Sequence, residues 1–261
     1  MNLSFFTVLT ATILMALATM LSWYIIKGRA QTVQEPVKKT TAQYWSDASN
    51  YKVNGDDSQA IWAFREYLVA GGDNDEVYLQ LAELYVKTGQ LNQALESAQE
   101  FVLKDPKVSS GYVQLGVIYS LLVQKDKAIE SYSKAVEVDP GLAEAYFNLG
   151  YIYESDNQFS KALDNYKKTI QLDVKHAKAY YNLGNIYAGM DSLNDAIAMY
   201  KKAVENDRNY VDAYVNLSIV LTKNGNFKEA LTNLDEAVLL GYQAPEEFVK
   251  TLEVYREKKI N

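Results

Sequence analysis

The stretches YFNLGYIY at residues 146–153 and YYNLGNIY at residues 180–187 decide the fold, because they are nearly the same sequence placed 34 residues apart. The same spacing continues in both directions along the chain. Leucine, tyrosine and alanine recur with this period at Leu81, Leu115, Leu149, Leu183 and Leu217, at Tyr78, Tyr112, Tyr146, Tyr180 and Tyr214, and at Ala94, Ala128, Ala162, Ala196 and Ala230. A fixed period of this length predicts a chain of repeated supersecondary units.

Each repeat contains the pattern of two helices. Tyr146, Leu149 and Tyr153 are spaced +3 and +7 and therefore lie on one stripe of a first helix. Ala162 and Tyr166 lie on the matching stripe of a second helix. A small residue follows the leucine of every first helix: Ala82, Gly116, Gly150, Gly184 and Ser218. We expect these small residues to let the first helix approach the alanine of the second helix closely.

This pattern resembles the tetratricopeptide repeat, whose signature W-x2-L-G-x2-Y…A-x3-F…P has tyrosine at its first aromatic position here. The resemblance implies an all-α, right-handed α-solenoid of about six helix pairs followed by a capping helix. The repeats would occupy residues 41–74, 75–108, 109–142, 143–176, 177–210 and 211–244, with the capping helix at 245–259. The first repeat is degenerate, since Asp47 replaces its leucine, and only Pro106 and Pro140 occupy the terminal proline position.

Residues 1–26 contain no charged side chain and are mostly apolar. About 20 such residues in a helix cross a hydrocarbon core about 30 Å thick, so the sequence predicts a transmembrane helix at 1–26. Residues 27–40 form a basic linker with four Lys/Arg and one acidic residue. The positive-inside rule then predicts a single-pass membrane protein with its repeat body on the cytoplasmic side. A cleaved signal peptide is the disfavoured alternative, because no Lys or Arg precedes the apolar run.

Composition excludes several classes of function. Beyond residue 40, 22 basic and 32 acidic side chains give a net charge of −10, so nucleic acid is not an expected partner. There is no cysteine, and His176 is the only histidine and is expected in a solvated turn between repeats. We therefore expect no catalytic residue, no cofactor and no metal, and the chain is not expected to be an enzyme.

The predicted binding surface is the face of the first helices that lines the groove in tetratricopeptide proteins. The sixth position of successive full repeats is an amide at Gln80, Gln114, Asn148, Asn182 and Asn216. An amide offers both donors and an acceptor, so it can pair with the N–H and C=O of a bound peptide. The asparagines are similar to those in the repeats of O-linked N-acetylglucosamine transferases. The alternative is that these amides are simply common in the family.

Aromatic and polar residues lie between the amides of the predicted groove. Phe147, Tyr151 and Tyr181, with Asn185, are expected to form its floor and to favour an extended partner with alternating apolar side chains. The open alternative is that some of them pack into the neighbouring repeat instead.

The predicted function is a membrane-anchored, non-catalytic scaffold or assembly factor that binds other proteins or peptides in this groove. One alternative is a self-oligomerising platform in which the groove receives a segment of a second copy. A less favoured alternative is a substrate-recruiting subunit of an enzyme complex, since the repeats leave no stretch long enough for a catalytic domain.

Overall fold

The computed structural model describes residues 15, 18–22 and 39–256. Within 39–256 the chain is all helix and turn, with no strand, and this confirms the predicted all-α class. The helices of this range are α1 Thr41–Asn54, α2 Asp57–Val69, α3 Glu76–Lys87, α4 Leu91–Lys104, α5 Ser109–Leu121, α6 Lys125–Val138, α7 Ala143–Ser155, α8 Phe159–Leu172, α9 Ala177–Gly189, α10 Leu193–Asn206, α11 Val211–Lys223, α12 Phe227–Leu239 and α13 Glu246–Glu253. The handedness and the repeat bounds stay predictions.

The chain divides into two compact units, residues 1–72 and 73–261. The first contains the helix pair α1 and α2. A capping box begins α1, in which the Gln43 backbone N–H donates to Thr40 Oγ1 and the Thr40 N–H donates to Gln43 Oε1. Trp45 packs edge-on against Phe64 at 5.4 Å and Tyr67 at 5.3 Å between ring centroids. These aromatic contacts hold the degenerate helix pair together.

In the second unit each helix from α3 to α13 packs against the next helix in the chain. The core is divided into successive clusters instead of one centre. Ala128 and Tyr132 of α6 pack with Leu149 of α7, and Ala162 and Tyr166 of α8 form the equivalent cluster with α9. Each helix pair therefore buries its apolar surface against its neighbours, which makes this unit a helical solenoid.

The turn inside each helix pair places one residue in the left-handed region of the backbone. The residues are Gly55, Gly89, Val123, Asn157, Asp191 and Gly225, and they are spaced by 34 residues. Glycine, and less readily asparagine and aspartate, adopts this conformation at low cost. Val123, with φ of 59°, is β-branched and is the exception.

The turn between helix pairs is held by an aspartate in each of four repeats. The carboxylate of each accepts a hydrogen bond from the backbone N–H two residues later; the four are Asp105, Asp139, Asp173 and Asp207. This side-chain bond stabilises the turn without a proline. The bond is present with a following proline at Asp105 and Asp139 and without one at Asp173 and Asp207, so the later repeats keep the same turn.

A single helix, α13, follows the last pair of the second unit. Its Leu252 is fully buried against α12 and neighbouring residues. Tyr255 stacks on Phe227 at 4.4 Å, and the guanidinium of Arg256 donates to both carboxylate oxygens of Asp235 at 2.7 and 2.8 Å. The helix covers apolar surface that the last pair would otherwise expose. Residues 257–259 of the predicted capping helix lie outside the described residues.

The predicted membrane localisation is corrected by the structure. Of residues 1–40, only 15, 18–22 and 39–40 are described, so most of the predicted transmembrane helix and basic linker lies outside the described residues. In the part that is described, no helix is long and apolar enough to cross a membrane. The longest helix with stated bounds has 14 residues, whereas about 20 are needed. This finding overturns the prediction of a single-pass membrane protein with its body on the cytoplasmic side.

Candidate functional site

The eight residues predicted to bind a partner lie on four first helices of the second unit. We call the side of these helices that carries them the amide face. Gln114 lies on α5; Phe147, Asn148 and Tyr151 on α7; Tyr181, Asn182 and Asn185 on α9; and Asn216 on α11. Tyr151 is 60% exposed and the other seven are half-buried. Their roles in partner binding stay predictions, but their contacts differ from one helix to the next.

The glycines of three first helices make room for tyrosine rings of the second helices. A Cβ atom on Gly150 would lie 2.7 Å from Tyr166 Cδ1, and one on Gly184 would lie 2.6 Å from Tyr200 Cε1. Gly116 faces its second-helix tyrosine in the same way. A tyrosine ring of the second helix therefore lies against each of these glycines, and the close approach of the first helix to the second-helix alanine stays a prediction there. Real Cβ atoms do not approach other atoms this closely.

The ring of Tyr166 crosses the helix pair and brings its hydroxyl to polar residues of two first helices. The hydroxyl donates to Glu154 Oε2 of α7 at 2.6 Å and accepts from Asn182 Nδ2 of α9 at 3.0 Å. Burial, followed by the hydrogen bond to Glu154, raises the pKa of Tyr166 well above its usual range. The amide of Asn182 is thus engaged inside the protein.

A second network joins α9, α10 and α11. The hydroxyl of Tyr200 donates to Asn185 Oδ1 at 2.7 Å. Asn216 Nδ2 donates to the same Asn185 oxygen and to the Tyr181 hydroxyl, both at 3.1 Å. The ring of Tyr181 lies 4.9 Å from that of Tyr210. These side chains therefore hold neighbouring repeats together. Burial raises the pKa of Tyr200 far above its usual range.

The amide face is different where α5 meets α7. Burial raises the pKa of Tyr132 to about 12, but its hydroxyl does not bond to the next asparagine as Tyr166 does. Within residues 39–256, Asn148 and Gln114 make no side-chain hydrogen bond to another described residue. No buried side-chain N or O atom in this range lacks a partner, so the amide of Asn148 remains open to solvent. These two amides are available to a ligand.

An apolar cavity of about 400 Å³ lies beside Asn148. Its walls come from α5, α6, α7 and the turn after α5, and they are formed by Val117, Ser120, Leu121, Val123, Lys125, Tyr132, Asn148, Tyr151, Ile152 and Ser155. Leu121 is 50% exposed and Val123 is 78% exposed. Lys125 is the one charged residue among these cavity-lining residues, and its positive charge is balanced by an ion pair with Asp156.

Phe147 and His176 form a junction between two repeats. The rings are 4.7 Å apart. His176 is the N-cap residue of α9, and its Nδ1 accepts from the backbone N–H of Ala179 at 3.2 Å. Its Nε2 lies 3.3 Å from a carboxylate oxygen of Glu144, and this hydrogen bond lowers the pKa of Glu144. The His176 side chain is only 13% exposed. The expectation of a solvated turn histidine is therefore wrong, because the residue is a helix cap.

Sequence reasoning missed two residues of this region. Glu154 was not singled out, because a glutamate twelve positions into a repeat has no signal of its own until Tyr166 is seen to reach it. Val123 did carry a signal, since the other repeats place glycine, asparagine or aspartate at its position. In the described range no group of three or more His, Cys, Asp or Glu is placed to hold a metal ion.

Comparison with known proteins supports the repeat assignment. Family profiles described as "Tetratricopeptide repeat" match residues 76–107, 143–176, 177–210 and 199–232, and one described as "TPR repeat" matches 124–157. A search of curated proteins found no match. No catalytic family is among the matches.

Solved structures of repeat proteins are also similar to this chain. A crystal structure of MamA is 31% identical with a TM-score of 0.57, over 62% of this chain and 94% of MamA. YrrB, "a TPR protein with an unusual peptide-binding site", is 20% identical with a TM-score of 0.58, over 74% and 98%. PilF of Pseudomonas aeruginosa is 19% identical with a TM-score of 0.60, over 69% and 89%. The profiles and the MamA likeness together show that the chain belongs to the tetratricopeptide-repeat family.

Proposed function

We propose that this protein is a non-catalytic scaffold or assembly factor that binds an extended segment of a partner protein on the amide face. One observation carries the proposal: Tyr151 is 60% exposed beside the apolar cavity between α5 and α7, next to the open amide of Asn148. A large exposed ring beside an apolar cavity offers surface that a partner can remove from water, and such concave apolar sites with a few polar groups are typical of binding sites.

The amide face supports two modes of contact with a peptide backbone. Gln114 and Asn148 have no competing bond among the described residues and can pair directly with a peptide unit. Asn182, Asn185 and Asn216 would have to exchange internal hydrogen bonds for partner bonds. We therefore assign the first contacts to α5 and α7. The similarity of these asparagines to those in the repeats of O-linked N-acetylglucosamine transferases is part of this proposal, and it is based on their common position in each repeat.

One similar protein is consistent with binding as the general role. YrrB is described as a protein with an unusual peptide-binding site. At 20% identity this similarity supports a common fold and no more. The binding site proposed for this chain therefore depends on its own residues. The alternative role, a self-oligomerising platform, would place a segment of a second copy on the same face.

The proposal is tested by photocrosslinking in the cells that produce the protein. A photoreactive phenylalanine derivative replaces Tyr151 in one variant and Lys134 in a matched control, because Lys134 is an exposed residue of the second helix α6. We expect discrete protein crosslinks from position 151 that the control does not give. A crosslink to a second copy from position 151 would support self-association, and the absence of any crosslink specific to this position would refute the proposal.

A further inference from the structure

Val123 lies in the turn after α5, beside the amide face, and has a strained backbone conformation. Its φ of 59° lies in the left-handed region, where a β-branched side chain meets steric repulsion that glycine and asparagine avoid. The side chain is 78% exposed, so burial within the described structure does not offset this cost. An exposed apolar side chain in a costly conformation indicates a role other than stability.

Val123 forms one wall of the cavity between α5 and α7. Leu121 and Tyr151, two further exposed apolar side chains, complete the rim, while Tyr132 and Ile152 lie in its buried part. The volume of about 400 Å³ falls within the range of about 300–1,000 Å³ that is typical of ligand sites. The cavity is therefore shaped for a large apolar side chain.

The polar groups at the cavity are few, and their roles differ. Ser120 Oγ donates to the Gly116 carbonyl and Ser155 Oγ donates to the Ile152 carbonyl, both at 2.8 Å, so their hydroxyl protons are engaged. Asn148 alone offers both an unengaged donor and an unengaged acceptor among the described cavity residues. The amide of Asn148 can therefore pair with one peptide unit of a partner, while the apolar side chain beside that peptide unit enters the cavity.

The helices that form the cavity walls carry a net negative charge. Helix α5 carries no charged residue, α6 carries three basic and three acidic residues, and α7 carries Glu144 and Glu154 with no lysine or arginine. The hydrogen bond from His176 lowers the pKa of Glu144 and so favours its charged form. Lys125 does not reverse this balance, because Asp156 pairs with it. Basic residues on a bound segment would be complementary to this surface.

We propose that this cavity is an anchor pocket for a partner segment with one large aliphatic or aromatic side chain flanked by lysine or arginine. The apolar side chain enters between Val123 and Tyr151, and Asn148 pairs with the peptide unit beside it. The flanking basic residues lie towards Glu144 and Glu154. This inference rests on the proposed function and adds the chemistry of its partner.

The test begins with a selection of random displayed peptides of about twelve residues on the full-length protein. We expect the selected peptides to share one large apolar residue with Lys or Arg within a few positions on either side. Their affinity is then measured by fluorescence anisotropy for the wild type and for Val123→Asn. Asparagine is accepted in the equivalent turn at Asn157, so the variant should melt at a higher temperature and yet bind with a Kd raised about tenfold or more.

Gly225→Asn is the matched control, because it places asparagine at the same turn position in another repeat, where nothing lies within 4 Å. It should leave the Kd unchanged. Asn148→Ala should raise the Kd while the charge of the protein stays the same.

The outcomes separate this inference from the proposed function. If no peptide is selected, peptide binding itself is refuted and the inference falls with it. If peptides are selected without the apolar and basic pattern, or if Val123→Asn binds them as tightly as the wild type, the anchor pocket is overturned while peptide binding stands.

Discussion

The contact between Gly150 and Tyr166 gives the sharpest test of how the repeats pack. An alanine Cβ at this position would lie 2.7 Å from two ring carbons, whereas ordinary contacts begin at 3.4 Å. The ring cannot move aside freely, because Tyr166 is fully buried and its hydroxyl is held by Glu154 and Asn182. Overpacking of this kind destabilises a protein by about 1–3 kcal/mol. The higher helix propensity of alanine relative to glycine offsets at most about 1 kcal/mol of this loss. We therefore expect Gly150→Ala to lower the free energy of unfolding by roughly 0.5–2 kcal/mol.

Gly189→Ala is the matched control in a first helix. Gly189 ends α9, and a Cβ atom there would have nothing within 4 Å. The substitution should be neutral or should stabilise the protein by up to about 1 kcal/mol, because alanine reduces the conformational freedom of the unfolded chain. Urea unfolding followed by circular dichroism measures both changes, and hydrogen exchange shows whether the loss in Gly150→Ala centres on α7 and α8.

A double variant tests the cause of the loss. In the last full repeat the equivalent positions are Ser218 and Leu234, both buried, so the fold accepts a smaller second-helix residue together with a larger first-helix residue. Gly150→Ala should cost less in a Tyr166→Leu background, with an interaction of at least about 0.5 kcal/mol. If the two substitutions are additive, or if Gly150→Ala is as stable as Gly189→Ala, the tyrosine ring is not what the glycine accommodates.

Three further predictions follow from the described contacts. His176→Ala removes the cap of α9 and should cost about 0.5–2 kcal/mol in urea unfolding, whereas His176→Asn should recover most of it; an equal loss in both would contradict the cap. Burial raises the pKa of Tyr132 to about 12, so the contribution of this tyrosine to stability is present below pH 10 and is lost as the pH rises through 12. Above pH 10 the free energy of unfolding should therefore fall with pH by up to about 1.4 kcal/mol per pH unit for such a tyrosine. This decrease should be smaller in Tyr132→Phe and unchanged in Tyr151→Phe. Leu252→Ala should cost about 2–5 kcal/mol, and hydrogen-exchange protection should be lost mainly in α13 and α12; uniform loss along the second unit would contradict nearest-neighbour packing.

Part of the candidate site was predictable, because the spacing places Asn148, Asn182 and Asn216 on one face of successive first helices. The hydrogen-bond partners of these three asparagines differ in the structure, although their positions in the repeat are the same. Asn182 reaches a tyrosine hydroxyl and Asn216 reaches Asn185, whereas Asn148 has no such partner among the described residues. The difference depends on which polar residue stands opposite each ring, and that residue comes from another helix. A repeat pattern cannot supply this information.

The sequence by itself determined the helical repeat of this protein. Periodic leucine, alanine and tyrosine specify which stripe of each helix is buried, because a helix pair of this size must cover its apolar surface with its neighbours. Aspartates at the same period specify the turns through a bond to a backbone N–H two residues away, which is a local interaction.

Only the tertiary structure decided what the small residues and the turn residues do. Gly150 makes room for the ring of Tyr166, and His176, which caps α9, also lies against Glu144 and Phe147 of the preceding repeat. The sequence marks Val123 only as a departure from the glycine, asparagine or aspartate of the other repeats, and the tertiary structure makes it a wall of the cavity formed by α5, α6 and α7. The physical reason is the same in each case: packing and electrostatics depend on atoms that are distant in the chain, whereas periodicity records only which face of a helix is buried.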